Sequence, residues 1–464
     1  MTKLRLAIVG AGPAGIYAAD ILLKAERKFE VSIDLFDQLP APYGLVRYGV
    51  APDHPRIKGI ITALREVLDR GDIRVFGNVR FGEDITLDDL KKHYNAVIFS
   101  TGAARDAALC IPGVDLAGSY GAADFVRWFD GHPDCARTWP LEARQIAVIG
   151  NGNVALDVSR MLVKHVGDLL STEIPANVSE GLAASPVTDV HVFGRRGPTS
   201  VKFTPLELRE IGELRDVDII VNEEDFEYDD AARAAVAGNK QVFVIDKIMQ
   251  KWRRLRQNEQ PPASRRLHLH FFAKPLEIVD DGSGRVGAIR WERTMPDGAG
   301  GVTGTGEIRQ LPVQAVYRAV GYFGSSLPGV PFDKKRGIIP NREGQVLRCD
   351  PTAGTGEAFT QQMYGVYATG WIKRGPVGLI GHTKSDAMET IRHLINDAGN
   401  WWRPESPTEQ SIVALLDARG IEYTDLDGWH NLDQHELALG AAEGRVRVKV
   451  VPRNEMVKIS RAEG

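Results

Sequence analysis

Leu4-Arg-Leu-Ala-Ile-Val-Gly-Ala-Gly-Pro-Ala-Gly15 decides the fold. An apolar, β-prone run up to Val9 leads into three closely spaced glycines, and Ile16, Ala19, Leu22 and Leu23 then recur at helical spacing. Strand, turn and helix follow. Gly10 permits a tight turn, Gly12 lets the backbone approach a pyrophosphate, and Gly15 lets the helix pack closely on the strand. The first N–H groups of that helix face the phosphates. Alternation resumes through Val31-Ser-Ile-Asp-Leu-Phe-Asp37 and sets Asp37 at a strand end. It lies about 20 residues past the turn, where an acid accepts hydrogen bonds from an adenosine ribose. The result is a βαβ unit with a right-handed crossover.

Outward from this unit, residues 39–54 carry three prolines and few helix formers, which predicts an ordered loop beside the glycine turn. Helical spacing returns through Ile57, Ile60, Ile61, Leu64 and Leu68. Residues 73–76 and 79–81 read as short strands, and Ala96-Val-Ile-Phe-Ser-Thr-Gly102 as a buried strand ending in a small-residue turn. Between 103 and 145 the pattern loosens, with turns at Pro112-Gly113 and Gly131-His-Pro133. A domain crossing belongs there.

A second glycine turn, Gly150-Asn-Gly-Asn-Val-Ala155, follows the apolar run Gln145–Ile149 and precedes an apolar helix. The next strand, Val187–Phe193, comes after an insertion of helix and loop. It ends in Gly194-Arg195-Arg196, with no acid at the ribose position. Paired guanidiniums there suit a 2′-phosphate, through charge-assisted and often bidentate hydrogen bonds, and point to NADP rather than NAD. Residues 267–293 read as a hairpin around Asp280-Asp-Gly-Ser-Gly284. Val316–Gly321 reads as the crossing back, and Val366–Gly381 as a third strand and turn before a helix from about Lys384 to Asn396. The expected architecture is α/β with two Rossmann-like dinucleotide-binding domains, the second (106–322) inserted into a discontinuous first (1–105 and 323–464). Beyond residue 400 the chain is amphipathic without a legible chemical motif.

The composition excludes several classes. Hydrophobic residues make up 43% and charged residues 25%, so the chain is not disordered. A net charge of −4 provides no global basic field for nucleic acid. No uninterrupted apolar run reaches transmembrane length, and the glycines, Pro13 and Asp20 argue against reading Leu6–Leu23 as a signal peptide. Cys110, Cys135 and Cys349 form no C-x-x-C pair and no zinc or iron–sulfur spacing, which predicts no metal site and a reducing, cytoplasmic setting. Lys251–Arg256 with Arg265 and Arg266 forms a local basic run that suits an acidic protein partner.

Four motifs, Gly44-Leu-Val-Arg-Tyr-Gly-Val-Ala-Pro-Asp-His54, Gly150-Asn-Gly-Asn-Val-Ala-Leu-Asp157, Phe193-Gly-Arg-Arg-Gly197 and Gly370-Trp-Ile-Lys-Arg-Gly-Pro376, resemble the adrenodoxin-reductase type of ferredoxin–NADP reductase. The resemblance spans essentially the whole chain. It implies FAD on the first glycine turn, with contacts from Gly10, Gly12, Ala14, Gly15, Asp37, Leu45, Phe81, Trp371, Gly378, Leu379 and Ile380. It implies NADP on the second turn, with contacts from Asn151, Gly152, Asn153, Val154, Arg195, Arg196, Glu207 and Gly378. His54 and Glu210 are implied near the flavin and nicotinamide as catalytic residues, orienting groups or shuttling protons. Three departures from the pattern stand out: Asp37 is one methylene shorter than the family's usual Glu, Asn151 replaces a common Gln, and Phe81 stands at an adenine-contact position that is usually aliphatic.

The implied activity is NADPH oxidation coupled to reduction of a ferredoxin-type iron–sulfur protein, with homo-oligomerisation left open. Three other readings compete. A disulfide reductase needs a redox-active cysteine pair, which is lacking. A flavin monooxygenase would insert oxygen into a substrate, and a non-enzymatic sensor would bind both dinucleotides without turnover.

Overall fold

The computed structural model describes residues 3–255, 262–349, 359–378 and 380–462. Two compact units divide the chain: Met1–Arg105, Asp130–Asp134 and Tyr322–Gly464 form the first, and Asp106–Phe129 with Cys135–Gly321 form the second. The continuous 106–322 reading differs from this division at Asp130–Asp134. Ion pairs explain the difference, because Asp130 faces Lys58 and Lys449 while Asp134 binds Arg80 and Arg453, all of the first unit.

In the first unit Lys3–Val9 pairs in parallel with Glu30–Phe36 on one side and Ala96–Phe99 on the other. Ile73–Phe76 extends the sheet beyond Glu30–Phe36. At the other edge come Phe359–Ala368 in parallel and then two antiparallel strands, Gln345–Cys349 and Asn341–Arg342. Both faces of the central strand are buried, Leu4, Leu6 and Ile8 in one apolar cluster and Ala7 and Val9 in another. That is why its sequence is a continuous apolar run rather than an alternation. Arg5 interrupts the run at no exposed cost, since its guanidinium donates to Asp34 at 2.6 Å within the sheet. The helices Pro13–Lys24 and Ile380–Asn396 pack together on one face.

Three local expectations are corrected. Residues 79–81 form no strand and contribute only a bridge between Phe81 and Ile85. The helix expected over 57–68 breaks at Gly59 into Pro55–Lys58 and Ile60–Leu68. The loop 39–54 contains a single helical turn, Leu45–Tyr48. Beyond 400 lie three helices, Glu409–Ala418, Leu426–Glu443 and Arg453–Ser460.

The second unit has a six-stranded, wholly parallel sheet ordered Ser119–Gly121, Ala315–Arg318, Gln145–Ile149, Asp189–Phe193, Arg265–His270, Val217–Val221. The insertion between its second and third motifs contains the helix Ala176–Ala184. An antiparallel sheet of Ala273–Asp280, Val286–Pro296 and Val302–Pro312 covers one face, burying Ile278, Ile289 and Trp291 with Ala147, Ile149 and Phe193. The hairpin around 280–284 is the first turn of that sheet.

Candidate functional site

The first glycine turn is held by contacts that only glycine allows. Gly10 has φ +112°, and a Cβ there would lie 2.5 Å from the Ser100 carbonyl oxygen. The helix Pro13–Lys24 starts at Gly12 without a side-chain cap, and Pro13 has no N–H to offer. The next amides are therefore open to an anion. A Cβ on Gly12 would meet nothing nearer than the Gly44 Cα at 3.9 Å. This uncapped, open cradle fits a pyrophosphate.

Asp37 stands at the cradle's edge, 9% exposed. Its Oδ2 accepts from Ala11 N at 2.7 Å and its Oδ1 from Leu39 N at 2.9 Å. Burial raises its pKa to about 6 against the pull of those two bonds. Each oxygen keeps a lone pair for a ribose hydroxyl, so the shorter acid still fits that role.

The other candidates of the first unit lie at varied depths. Gly370 sits against the start of the same helix, where its Cβ would be 2.6 Å from Ala14 Cβ, and Asp386 holds it through the Gly370 N–H at 2.6 Å. Trp371 follows, its ring 6.2 Å from that of Tyr322 and tilted by 28°. Leu45 opens the helical turn beside Gly44. His54 is 3% exposed and ends the loop, its N–H donating to Ala51 O. Gly378 is exposed, and Ile380 opens the helix Ile380–Asn396. Leu379 lies outside the described residues. Phe81 is packed edge-on against Phe99 at 5.0 Å, within the core that holds Val9 and Phe36.

The second turn repeats the logic. A Cβ on Gly150 would lie 2.2 Å from Ala319 O. Gly152 caps the helix Asn153–Val163 with no side-chain bond, and the space where its Cβ would stand is open to 4 Å. Asn153 and Glu207 are joined here. The Asn153 amide donates to Glu207 Oε1 at 3.1 Å and its oxygen accepts from Thr204 N at 3.1 Å, while the Thr204 hydroxyl bonds the other Glu207 oxygen. Val154 lies half-buried in the first helical turn. The Asn151 carbonyl accepts from Lys202 N, and its amide lies so close under Gly194 that a Cβ there would be 2.7 Å away.

Arg195 and Arg196 are held by their backbones, the Arg195 carbonyl accepting from Thr294 Oγ1 at 2.8 Å and that of Arg196 from Phe272 N at 3.2 Å. Neither guanidinium has an acid partner among the described residues, and Arg195 is exposed. Two positioned, uncompensated cations suit a dianion. Glu210 has a different neighbour: Arg160, 1% exposed, lies 3.9 Å from it and 2.9 Å from Asp157. The sequence reading missed Arg160, whose burial on the helix behind the turn gives Glu210 a charge-balancing task.

A histidine stack on the covered face of the second sheet was also missed, although His268 and His270 alternate along one strand. His191 Nδ1 lies 3.0 Å from His270 Nε2, and His191 Nε2 lies 3.0 Å from Gln145 Oε1. Burial first, then the neighbouring histidines, depresses both His191 and His270 to about 3. Donor atoms of Asp189, His191 and His268 lie within 4.8 Å of one another. The rings of His191 and His268 nevertheless stack at 4.1 Å and 17°. A metal lies in the plane of each imidazole that binds it at about 2 Å, and two stacked planes share no such point. Arg266 moreover binds the Asp189 carboxylate, at 2.7 Å to Oδ2. The cluster is a hydrogen-bonded network.

The basic run divides. Arg253 pairs with Glu223 at 3.2 Å, Arg265 donates to the Val163 and Lys164 carbonyls, and Arg266 is committed to Asp189. Arg256 lies outside the described residues. Lys247, Lys251 and Arg254 remain exposed on one face of the helix Lys240–Leu255, with no acid partner among the described residues.

Comparison with known proteins places this arrangement. Residues 4–197 match the pyridine nucleotide-disulphide oxidoreductase family. The chain is 38% identical to the NADPH-ferredoxin reductase FprA of Mycobacterium tuberculosis over 99% of both chains. It is 35% identical to the mitochondrial NADPH:adrenodoxin oxidoreductase of Homo sapiens, covering 98% of this chain and 91% of the other. The structure of M. tuberculosis FprA in complex with NADPH superposes with a TM-score of 0.87 at 36% identity, covering 99% of this chain and 100% of that one. The chain therefore belongs to the NADPH-ferredoxin and NADPH:adrenodoxin reductase family of FAD-dependent oxidoreductases, which pass electrons from NADPH to iron–sulfur proteins.

Proposed function

We propose that the first glycine turn holds FAD and the second holds NADPH, in an enzyme that accepts a hydride and delivers single electrons to a ferredoxin. The observation that carries the assignment is the asymmetry between the two sites. An acid, Asp37, closes the first, and two arginines with no acid partner among the described residues close the second. A carboxylate accepts from free ribose hydroxyls and repels a 2′-phosphate, whereas guanidiniums bind that phosphate.

Bound FAD supplies the conversion between two-electron and one-electron chemistry. The chain's own residues bind and orient. Gly12 and the open amides behind Pro13 receive one pyrophosphate, and Gly152 with the amides of the second helix receives the other. The Asn153–Glu207–Thr204 bonds fix the second turn against the helix Pro205–Gly212. His54 is the candidate for holding a proton near the flavin, and its burial shields it from bulk exchange. Glu210, held beside Arg160, is assigned an electrostatic role rather than proton transfer.

The exposed stripe Lys247, Lys251 and Arg254 is the proposed docking face for an acidic ferredoxin. Among the described residues no helix is long and apolar enough to cross a membrane, and Cys110, Cys135 and Cys349, none of them in a disulfide, fit a cytoplasmic setting.

The test is anaerobic titration of the flavin-loaded protein. NADPH bleaches the flavin absorption, and a ferredoxin added afterwards is reduced in a two-to-one ratio to NADPH consumed. Bleaching without ferredoxin reduction favours a sensor or another reductase. NADPH oxidation that depends on an organic substrate, with oxygen inserted into it, favours a monooxygenase.

A further inference from the structure

The helical turn Leu45–Tyr48 is too short to satisfy its own carbonyls. Arg47 and Tyr48 both donate back to Gly44 O, at 3.1 and 3.0 Å, and the carbonyls of Val46 and Arg47 are left without partners inside the turn. Two lysines from distant parts of the chain take them. Lys58 Nζ lies 3.4 Å from Val46 O, and Lys449 Nζ donates to Arg47 O at 2.8 Å and to Asp130 O at 3.0 Å.

Both ammonium groups stand 3.7 Å from the same carboxylate oxygen of Asp130, itself fully buried. Burying an ammonium is unfavourable unless charge and hydrogen bonds compensate it. Here the Asp130 carboxylate balances charge at 3.7 Å from both ammonium groups, while Lys449 donates to backbone carbonyls at 2.8 and 3.0 Å. That division of labour is what a device for holding backbone requires. The other side of the turn is tied as well. Glu436 accepts from Arg47 at 2.7 and 2.9 Å, from Arg447 at 3.0 Å and from Val450 N at 2.9 Å. The segment 447–450 is thereby strapped to the turn at two points.

The turn's other end touches the first dinucleotide cradle. A Cβ on Gly44 would lie 3.2 Å from Gly12 Cα, and Tyr43 N donates to Ala11 O at 2.8 Å. We propose that Asp130, Lys58 and Lys449 form a buried clamp that sets the Leu45–Tyr48 turn against the Gly12 cradle, making Lys449 a positioning residue for FAD. The proposal rests on the FAD reading of the first turn. Lys449 comes from the C-terminal region, which carries no motif of its own.

The experiment compares wild type, Lys449→Met, Lys449→Arg and Asp130→Asn as purified holoenzymes. Measured are the FAD dissociation constant from flavin fluorescence on dilution, the vibronic structure of the flavin absorption band, the NADPH dissociation constant, and amide exchange across residues 45–48. Expected for Lys449→Met and Asp130→Asn are an FAD dissociation constant raised at least tenfold, a blurred flavin band and exchange at 45–48 faster at least tenfold. The NADPH constant stays within twofold, and Lys449→Arg recovers part of the loss. Wild-type FAD affinity and wild-type exchange at 45–48 in either of the first two variants overturn the clamp. If Lys449→Met does not fold, Asp130→Asn, which removes charge at constant volume, decides by the same readouts. Failure of the FAD reading shows differently: Gly12→Ala then leaves FAD affinity at the wild-type value while exchange at 45–48 still responds to Lys449→Met.

Discussion

Gly12 and Gly44 meet backbone to backbone, and a side chain on Gly44 would begin 3.2 Å from Gly12 Cα. One belongs to the phosphate turn and the other to the loop that ends at His54, so the loop reports directly on the geometry of the turn. Gly12→Ala has room to fold, because only Gly44 approaches the new methyl and at 3.9 Å. The loss of a glycine cap costs roughly 1 kcal/mol. The larger effect falls on FAD, whose pyrophosphate needs the space. Flavin content after gel filtration is expected to fall by tenfold or more while NADPH binding holds.

The arginine pair sets nucleotide choice. Each charge-assisted bond to a phosphate contributes about 1.5–3 kcal/mol, so Arg195→Ala with Arg196→Ala is expected to reduce the NADPH-to-NADH ratio of kcat/KM by on the order of a hundredfold. The loss appears in the KM for NADPH. An unchanged ratio removes the 2′-phosphate assignment.

Asp37 predicts a pH dependence of flavin binding. Its pKa is raised to about 6, above the unfolded value of about 3.9, so the folded apoprotein holds the proton more tightly. Apoprotein stability contributed by this group is present below the unfolded value and is lost as pH rises through about 6. Ribose hydroxyls donate to the charged carboxylate, so FAD binding favours the ionised form. FAD affinity is expected to weaken as pH falls through 6, and Asp37→Asn is expected to flatten that dependence while weakening FAD at neutral pH. Fluorescence titration of apoprotein between pH 5 and 8, in units chosen to span about 6 on both sides, provides the check.

The histidine stack predicts the opposite slope. His191 and His270 are depressed to about 3, below the unfolded value of about 6.5. The unfolded chain therefore binds protons first as pH falls. Stability from these groups is full above about 6.5 and is lost progressively towards 3. His191→Gln is expected to lower the thermal midpoint at neutral pH and to reduce its decline on acidification, relative to wild type. Thermal unfolding followed by circular dichroism across that window tests the difference.

Docking charge is tested by Lys251→Glu with Arg254→Glu. The KM for a ferredoxin is expected to rise several-fold at low salt, with the difference shrinking at high ionic strength and the NADPH KM unmoved. An unmoved ferredoxin KM would send the search for a docking face elsewhere.

The two βαβ units were legible because their chemistry is local. A glycine turn, a strand before it and a helix after it lie within a few dozen residues, and the ends of Glu30–Phe36 and Asp189–Phe193 display Asp37 and Arg195 by chain order alone. Boundaries were less legible where burial, rather than pattern, decides. Phe81 read as part of a strand, and contributes only a bridge to Ile85. The basic run read as one surface, but strand pairing delivers Arg266 to Asp189, and among the described residues the helical stripe stays exposed.

By itself the amino-acid sequence determined the fold class, the two dinucleotide turns and the acid-versus-arginine distinction between them, because short-range backbone geometry and strand-end position set all three. Tertiary structure alone decided what charges do once buried. Arg160 and Glu210, His191 and His270, and Lys58, Asp130 and Lys449 are far apart or unremarkable in the chain. A buried ion or imidazole is stable only where folding brings it a partner, and no spacing rule in the chain specifies that partner.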